Sequence, residues 1–158
     1  MTAANRLAAL LLLAAVACAG AEQDDVLAPR GVTPGRRLPW PEATARDWRF
    51  AADVQEIALE TRGPRGPRSV TVWCVVVDGA LYVATDDGRE RKRWVRDLER
   101  DPAARVGILE RTYPVRAERV GAGETWDAVV AAYRRKYGSE IAKYDFPRAG
   151  DPASGRIY

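Results

Sequence analysis

Basic side chains stand at two points of the chain from which they could bind an anion together. Arg91 and Lys92 lie in the first turn of a predicted helix, and Arg68 begins a predicted strand beside it. The free amides and the positive dipole end at a helix N-terminus favour a phosphate group, and cations there add to that preference. The same helix residues also fit a solvated basic face, so both interpretations stay open.

The sequence excludes most side-chain catalysis, because its 158 residues contain no histidine and two cysteines. Without imidazole there is no Ser-His or Cys-His nucleophile system, and two cysteines cannot complete a structural zinc site. Asp86 and Asp87 fit a helix cap better than a pair of catalytic carboxylates, which would need burial. Any reaction must use arginine, carboxylates, aromatic rings, backbone amides or a bound cofactor.

The composition is that of a globular domain, with 47% hydrophobic and 30% charged residues. The formal net charge of +3 is too balanced for a dedicated nucleic-acid binder, whose cations concentrate on one face. We therefore expect no nucleic-acid partner.

Residues 1–18 resemble a secretory signal peptide. Asn5 and Arg6 give a polar start with one positive charge, and an unbroken apolar run follows from Leu7 to Ala17. The run is too short for a membrane-spanning helix, which takes about 20 residues. Its length fits the apolar region of a signal peptide.

Two processing routes fit the end of this signal. Signal peptidase could cut after Ala17 or Ala19, or Val16-Ala17-Cys18 could be a bacterial lipobox in which Cys18 becomes the lipidated first residue. We expect lipidation at Cys18. The protein would then be exported and anchored to a membrane of the bacterial cell envelope, facing the periplasm or the outside.

A linker follows the signal, and a single domain follows the linker. Residues 19–41 are rich in proline and glycine and have no apolar period, so they are predicted as a tether. The domain spans 42–158. Its cysteine, Cys74, has no partner in the chain if Cys18 is lipidated, so the domain is expected to fold without a disulfide.

Alternation of residue types predicts several strands. A hairpin is formed by strands from Ser69 to Val77 and from Ala80 to Thr85, joined by the turn signal Asp78-Gly79. Residues 62–68, which carry three arginines, are predicted as a turn. Further strands are predicted at residues 54–61, 104–109, 112–120 and 156–158.

Two helices are predicted from apolar stripes. One covers residues 89–100 after a break at Asp86-Asp87-Gly88, and the other covers Glu124 to Tyr137. The order of strand, hairpin, helix, two strands and helix predicts an α+β fold with an antiparallel sheet closed into a small barrel.

Several short motifs occur in a familiar order. They are Thr61-Arg62-Gly63, Arg68-Ser69-Val70-Thr71-Val72-Trp73, Tyr82-Val83-Ala84-Thr85, Lys92-Arg93-Trp94-Val95-Arg96-Asp97-Leu98 and Asp101-Pro102. In this order they resemble the flavin split-barrel superfamily, which includes pyridoxamine phosphate oxidase-like and deazaflavin-dependent nitroreductase-like proteins. The segment 132–138 resembles a small, largely uncharacterised branch of that fold.

The resemblance implies a small antiparallel split β-barrel with two flanking helices. It also implies a homodimer that binds FMN or a deazaflavin between its subunits and transfers hydride to or from an unknown small-molecule substrate. It assigns no catalytic side chain and no metal ligand. The cofactor-binding residues that we expect are Arg68, Ser69, Thr71, Trp73, Thr85, Arg91, Lys92 and Trp94.

A second hypothesis keeps the barrel without a cofactor, as a dimeric lipoprotein that acts as a binding or scaffold module. Asp97 stands where the resembled motif usually has asparagine, and an acid there would repel a phosphate unless Arg96 or Arg100 pairs with it. Asp86, Asp87 or Asp97 projecting into the groove would favour this hypothesis. Trp73 and Trp94 also fit plain core packing.

Overall fold

The computed structural model describes residues 36–86 and 92–158. Its strands form one six-stranded antiparallel sheet in the order β5-β4-β1-β2-β3-β6. The expected α+β class, with an antiparallel sheet and two helices, is confirmed. The elements are β1 (Glu56–Gly63), β2 (Gly66–Val77), β3 (Ala80–Asp86), α1 (Arg93–Arg100), β4 (Ala103–Ile108), β5 (Arg111–Arg116), α2 (Glu124–Tyr137) and β6 (Gly155–Ile157), with short 3₁₀ turns at Arg49–Ala51 and Gly138–Lys143.

The central strand β2 changes its neighbour along its length: it pairs with β1 in its first part and with β3 in its last part. Its pairs with β1 run from Gly66 to Trp73, and its pairs with β3 begin at Cys74 and end at Val77. Beyond that stretch β3 turns to β6, with which its residues 84–86 pair. The first part of β2 and the last part of β3 therefore separate, and a cleft opens between them.

Both faces of β2 are covered, as its two apolar faces predict. Cys74 packs with Ile57 and Val106 in one cluster inside the curved sheet. Val75 and Trp73 belong to a second cluster, which is built around α2. The predicted hairpin is confirmed too, because Asp78 and Gly79 both adopt the positive φ angles of a two-residue turn.

Helix α2 supplies polar groups to the point where β2 changes its neighbour. The Tyr137 hydroxyl accepts a hydrogen bond from the Cys74 N–H at 3.0 Å and lies 2.5 Å from the Gln55 carbonyl oxygen and 2.7 Å from that of Cys74. The Tyr133 hydroxyl lies 2.9 Å from the Trp73 carbonyl oxygen. These side chains satisfy backbone groups that a regular ladder would otherwise pair.

Several predicted boundaries differ from the observed ones. Helix α1 begins at Arg93, four residues later than predicted from residue 89, and Lys92 occupies its N-cap without a side-chain cap. The predicted cap at Asp87-Gly88 lies outside the described residues. The arginine-rich turn is shorter than predicted, because β1 and β2 stay paired up to Gly63 and Gly66.

Strand β5 also ends earlier than predicted, at Arg116. The Ala117 N–H still donates to the Pro102 carbonyl, next in the β4–β5 register, and the Val120 N–H then donates to the carbonyl of Ile157 in β6. Residues 117–120 thus lie across the gap between the two ends of the sheet.

The end of the predicted linker is packed on the sheet. Leu38 is buried, and its N–H donates to the Glu60 carboxylate at 2.5 Å. The Trp40 ring lies against Gly107, where any β-carbon would come within 2.7 Å of it. The domain therefore includes at least residues 36–41, while the predicted signal peptide and Cys18 lie outside the described residues. Within 36–86 and 92–158, no helix is long and apolar enough to cross a bilayer.

Replacing Tyr137 by phenylalanine should lower the free energy of unfolding by about 1–3 kcal/mol, because it removes the hydroxyl that bonds the buried Cys74 backbone and leaves the Cys74 amide only a long bond to the Gln55 carbonyl, 3.4 Å. Urea denaturation measures the loss. Tyr144→Phe is the matched control, since Tyr144 is 58% exposed and should change stability by less than about 0.5 kcal/mol. Equal effects of the two substitutions would contradict the role given to the Tyr137 hydroxyl.

Candidate functional site

The gap between β2 and β3 forms a cleft of about 1120 Å³. One wall is β2 from Arg68 to Trp73, the other includes Ala84 and Thr85 of β3, and α1 and α2 reach its two ends. The five residue steps from Arg68 to Trp73 make it about 17 Å long. Its volume is slightly above the range of about 300–1,000 Å³ that is usual for small-molecule sites.

Backbone groups of β2 face this cleft. The Ser69 N–H donates to the Arg36 carbonyl at 3.0 Å, away from β1. Because backbone direction alternates along a strand, the Thr71 N–H and C=O point to the same edge. The ladder to β3 begins only at Cys74. Within the described residues, no strand pairs with Thr71 on this side, so its backbone can bind the edge of a ligand.

One end of the cleft is cationic. Arg68, Lys92 and Arg93 line it, and none of them has an ion pair with another of the described residues. The first turn of α1 begins at the same place, so its free amides add the positive end of a helix dipole. This end is suited to a phosphate or another anion.

Asp97 does not neutralise the cationic end. Its carboxylate is 5% exposed and is not part of the cleft wall. It lies 3.1 Å from the Arg100 guanidinium and accepts a hydrogen bond from the Thr61 hydroxyl at 3.1 Å. The acid is therefore paired with Arg100, one of the two partners that the sequence offered.

The opposite end of the cleft is aromatic and contains acids. Trp73 stacks on Tyr137 with ring centroids 4.5 Å apart, and Tyr144 meets Trp73 edge-on at 5.4 Å. The Trp73 indole N–H donates to the Glu56 carboxylate at 3.1 Å. Glu140 and Asp145 also line this end, together with Lys136 and Phe146.

Lys136 is the cation at this aromatic end, and its ammonium group is tied to the backbone. It donates to the carbonyl oxygens of Val54 at 2.5 Å and Cys74 at 3.0 Å. Burial lowers its pKa below the ordinary value. Its ammonium group therefore lies at the point where β2 changes its neighbour, where the Tyr137 hydroxyl also contacts the Cys74 carbonyl.

The structure brings together seven of the eight predicted cofactor residues, and Arg91 lies outside the described residues. Ser69, Thr85 and Trp94 line the cleft with side chains that are at most 5% exposed. They therefore offer little surface, and Trp94 also packs in the inner core. The wider contact surface comes from Arg68, Thr71, Trp73 and Lys92.

Sequence reasoning did not identify the residues of the aromatic end. Tyr137 lies in the apolar stripe of α2 and was assigned to core packing, and Lys136 stands beside it. Glu56 lies in a strand with weak alternation. These residues meet Trp73 only because α2 crosses the end of β2. No local sequence pattern predicts that crossing.

The fold and the cleft together define a class of protein. It is an α+β protein with one six-stranded antiparallel sheet, and a cleft that is cationic at one end and aromatic at the other lies along its central strand. Among the described residues no cluster of acids or cysteines could hold a metal ion.

The chain belongs to a bacterial protein family. Residues 50–153 match the family described as "Uncharacterized protein conserved in bacteria (DUF2255)". No curated protein matches the chain. The family match takes in β1 to α2, and with them every element that lines the cleft.

Two solved structures are similar to this chain. The conserved hypothetical protein Rv2991 from Mycobacterium tuberculosis is 22% identical over 69% of this chain and 74% of its own, with a TM-score of 0.47. A second is 15% identical over 68% of this chain and 73% of its own, with a TM-score of 0.48. The classification rests on the family match.

The Cys74 thiol should make the stability fall at alkaline pH. Burial raises its pKa from 9.0 to about 11, against an opposing effect of Lys136. Its stabilising contribution is complete below pH 9 and is lost as the pH rises through 11, because the unfolded thiol ionises first.

Urea midpoints at pH 8, 9, 10 and 11 measure this fall, which should be of order 2 kcal/mol for the thiol alone. Tyr133 and Tyr137, whose pKa values burial raises above the ordinary one, add to the fall at the highest pH. Cys74→Ala should lower stability at pH 8 and flatten its decline between pH 9 and 11. Parallel curves for the two proteins would contradict the prediction.

Proposed function

We propose that this protein is a flavin-binding split-barrel protein, an oxidoreductase that holds FMN or a deazaflavin in the cleft between β2 and β3. The observation that carries the proposal is that seven predicted residues, chosen from the order of sequence motifs, line one cleft. That cleft combines three features that suit the phosphate and the ring system of FMN. They are cations with helix amides, a free strand edge and aromatic surface.

Different residues along the length of the cleft bind different parts of the cofactor. Arg68 and Lys92, with the first amides of α1, bind the phosphate. The backbone of Thr71 forms hydrogen bonds with the polar edge of the ring system. The part of Trp73 not covered by Tyr137 packs against the ring.

A bound flavin supplies hydride transfer, which explains how a chain without histidine could perform redox chemistry. The residues of this chain bind and orient, and none is assigned a proton transfer. The aromatic end, with Glu56 and Lys136, is where a substrate would meet the ring. In the proposed homodimer a second copy closes the open side of the cleft.

The paired state of Asp97 supports the cofactor-binding hypothesis over its alternative. Asp97 is not part of the cleft wall and is bound to Arg100 and Thr61, so its negative charge is compensated before a phosphate binds at the cationic end. The side chain of Asp86 and all of Asp87 lie outside what the structure describes.

One observation favours the alternative, a dimeric binding or scaffold module without a cofactor. The stacking of Trp73 on Tyr137 fills part of the aromatic end with the protein's own side chains. On this hypothesis the purified domain is colourless and does not take up flavin, although it is folded and dimeric.

Titration of the purified mature protein with FMN tests the proposal. We expect quenching of flavin fluorescence and a saturable dissociation constant. Arg68→Ala and Lys92→Ala should each weaken binding at least about tenfold, because a charge-assisted hydrogen bond contributes about 1.5–3 kcal/mol.

Arg65→Ala is the matched control, because Arg65 is exposed in the β1–β2 turn and does not line the cleft. It should leave the dissociation constant within about twofold. A folded dimer that takes up neither FMN nor a deazaflavin at high micromolar concentration would favour the cofactor-free module. Equal losses in all three variants would show binding through net charge alone.

The proposed location is the bacterial cell envelope, with a lipid anchor at Cys18. Metabolic labelling with a palmitate analogue in a bacterial host should label the wild-type chain and not Cys18→Ser. Cys74→Ser serves as the control and should stay labelled. Secretion of an unlabelled wild-type chain would indicate ordinary signal-peptide cleavage instead.

A further inference from the structure

A second cavity of about 690 Å³ lies within the curve of the sheet. No residue of its lining belongs to the lining of the first cleft. The edge-on contact of Trp94 with Tyr158, at 6.0 Å between ring centroids, separates the two spaces. The apolar part of its wall is formed by side chains from β1, β3, α1, β4 and β5: Leu59, Leu81, Val83, Leu98, Val106 and Val115.

The inner wall of this cavity is made of core residues, and the largely exposed segment 116–125 forms its outer side. Leu98 is 3% exposed, Val106 is 4% exposed and Ala104 is 7% exposed. Protein interiors pack like organic crystals and leave few voids larger than a water molecule. Water at this inner wall finds few hydrogen-bond partners, because Leu98, Val106 and Ala104 have no polar side-chain atom. The apolar inner wall therefore favours an apolar occupant.

The entrance of the cavity is formed by residues 116–125, which connect β5 to α2. This segment crosses the gap between the ends of the sheet and contains Gly121 and Gly123, the latter with a φ of 134°. The Ala117 and Val120 amides fasten it to Pro102 and Ile157. The cavity is thus reached between β5 and β3, past a connection whose middle, Gly121 to Gly123, has little side-chain bulk.

The charges at the entrance are balanced. Arg116 and Arg119 stand with Glu118 and Glu124 on its exposed rim. Neither an anionic nor a cationic head group would gain much there. Selectivity for the occupant therefore comes from the apolar interior and not from the rim.

We infer that this inner cavity is a second binding site, which takes a neutral apolar small molecule with a ring or alkyl skeleton. Binding transfers the apolar surface of the ligand out of water into a space whose walls are already desolvated. The site is independent of the cleft and of any flavin bound there.

Titration with N-phenyl-1-naphthylamine, a neutral apolar dye whose fluorescence rises in apolar surroundings, tests the inference. The wild-type protein should bind it saturably, with one dye per chain. Ala104→Leu places a larger side chain inside the cavity and should weaken binding at least about tenfold. Val115→Phe, at a half-buried position of the wall, should do the same and keeps the test available if A104L does not fold.

Ala103→Leu is the matched control, because the neighbouring residue of β4 points to the other face of the sheet. It should bind the dye as the wild type does. Thr71→Trp, which fills the cleft, should also leave dye binding unchanged. No saturable binding by the wild type, unchanged binding in folded A104L and V115F, or loss of binding in T71W would each overturn the inference.

Discussion

The change of neighbour in β2 at Trp73 and Cys74 determines how the rest of this structure is arranged. A strand that leaves one partner and takes another exposes backbone groups at the exchange, and burial makes such groups costly unless they are bonded. Tyr133, Lys136 and Tyr137 of α2 meet that requirement. Helix α2 must therefore lie across the end of β2, and its position shapes the aromatic end of the cleft.

The same exchange divides the interior into two parts. One face of β2 packs within the curve of the sheet and the other packs against α2. The cleft follows the free edge of β2, while the second cavity lies inside the curve and opens beyond β5. One strand thus takes part in two cores and borders the cleft without filling it.

Local patterns in the sequence were sufficient for most elements and for one wall of the cleft. The alternation in β2 predicts its end and the stripe of α2 predicts both of its bounds, because each reflects burial on a regular period. The motif order led to Arg68, Thr71 and Trp73. Lys136 and Tyr137 could not be assigned to the cleft, because they meet Cys74 across 62 and 63 positions of sequence.

The sequence distance between α2 and β2 has a consequence for how the chain folds as it is made. A ribosome delivers β1, β2 and β3 before α2, so the backbone groups of Trp73 and Cys74 that α2 bonds still face water or other chains until α2 is made. Unpaired strand edges of this kind promote aggregation. Productive folding must wait for the last quarter of the polypeptide, which favours holding the chain extended until α2 has been synthesised.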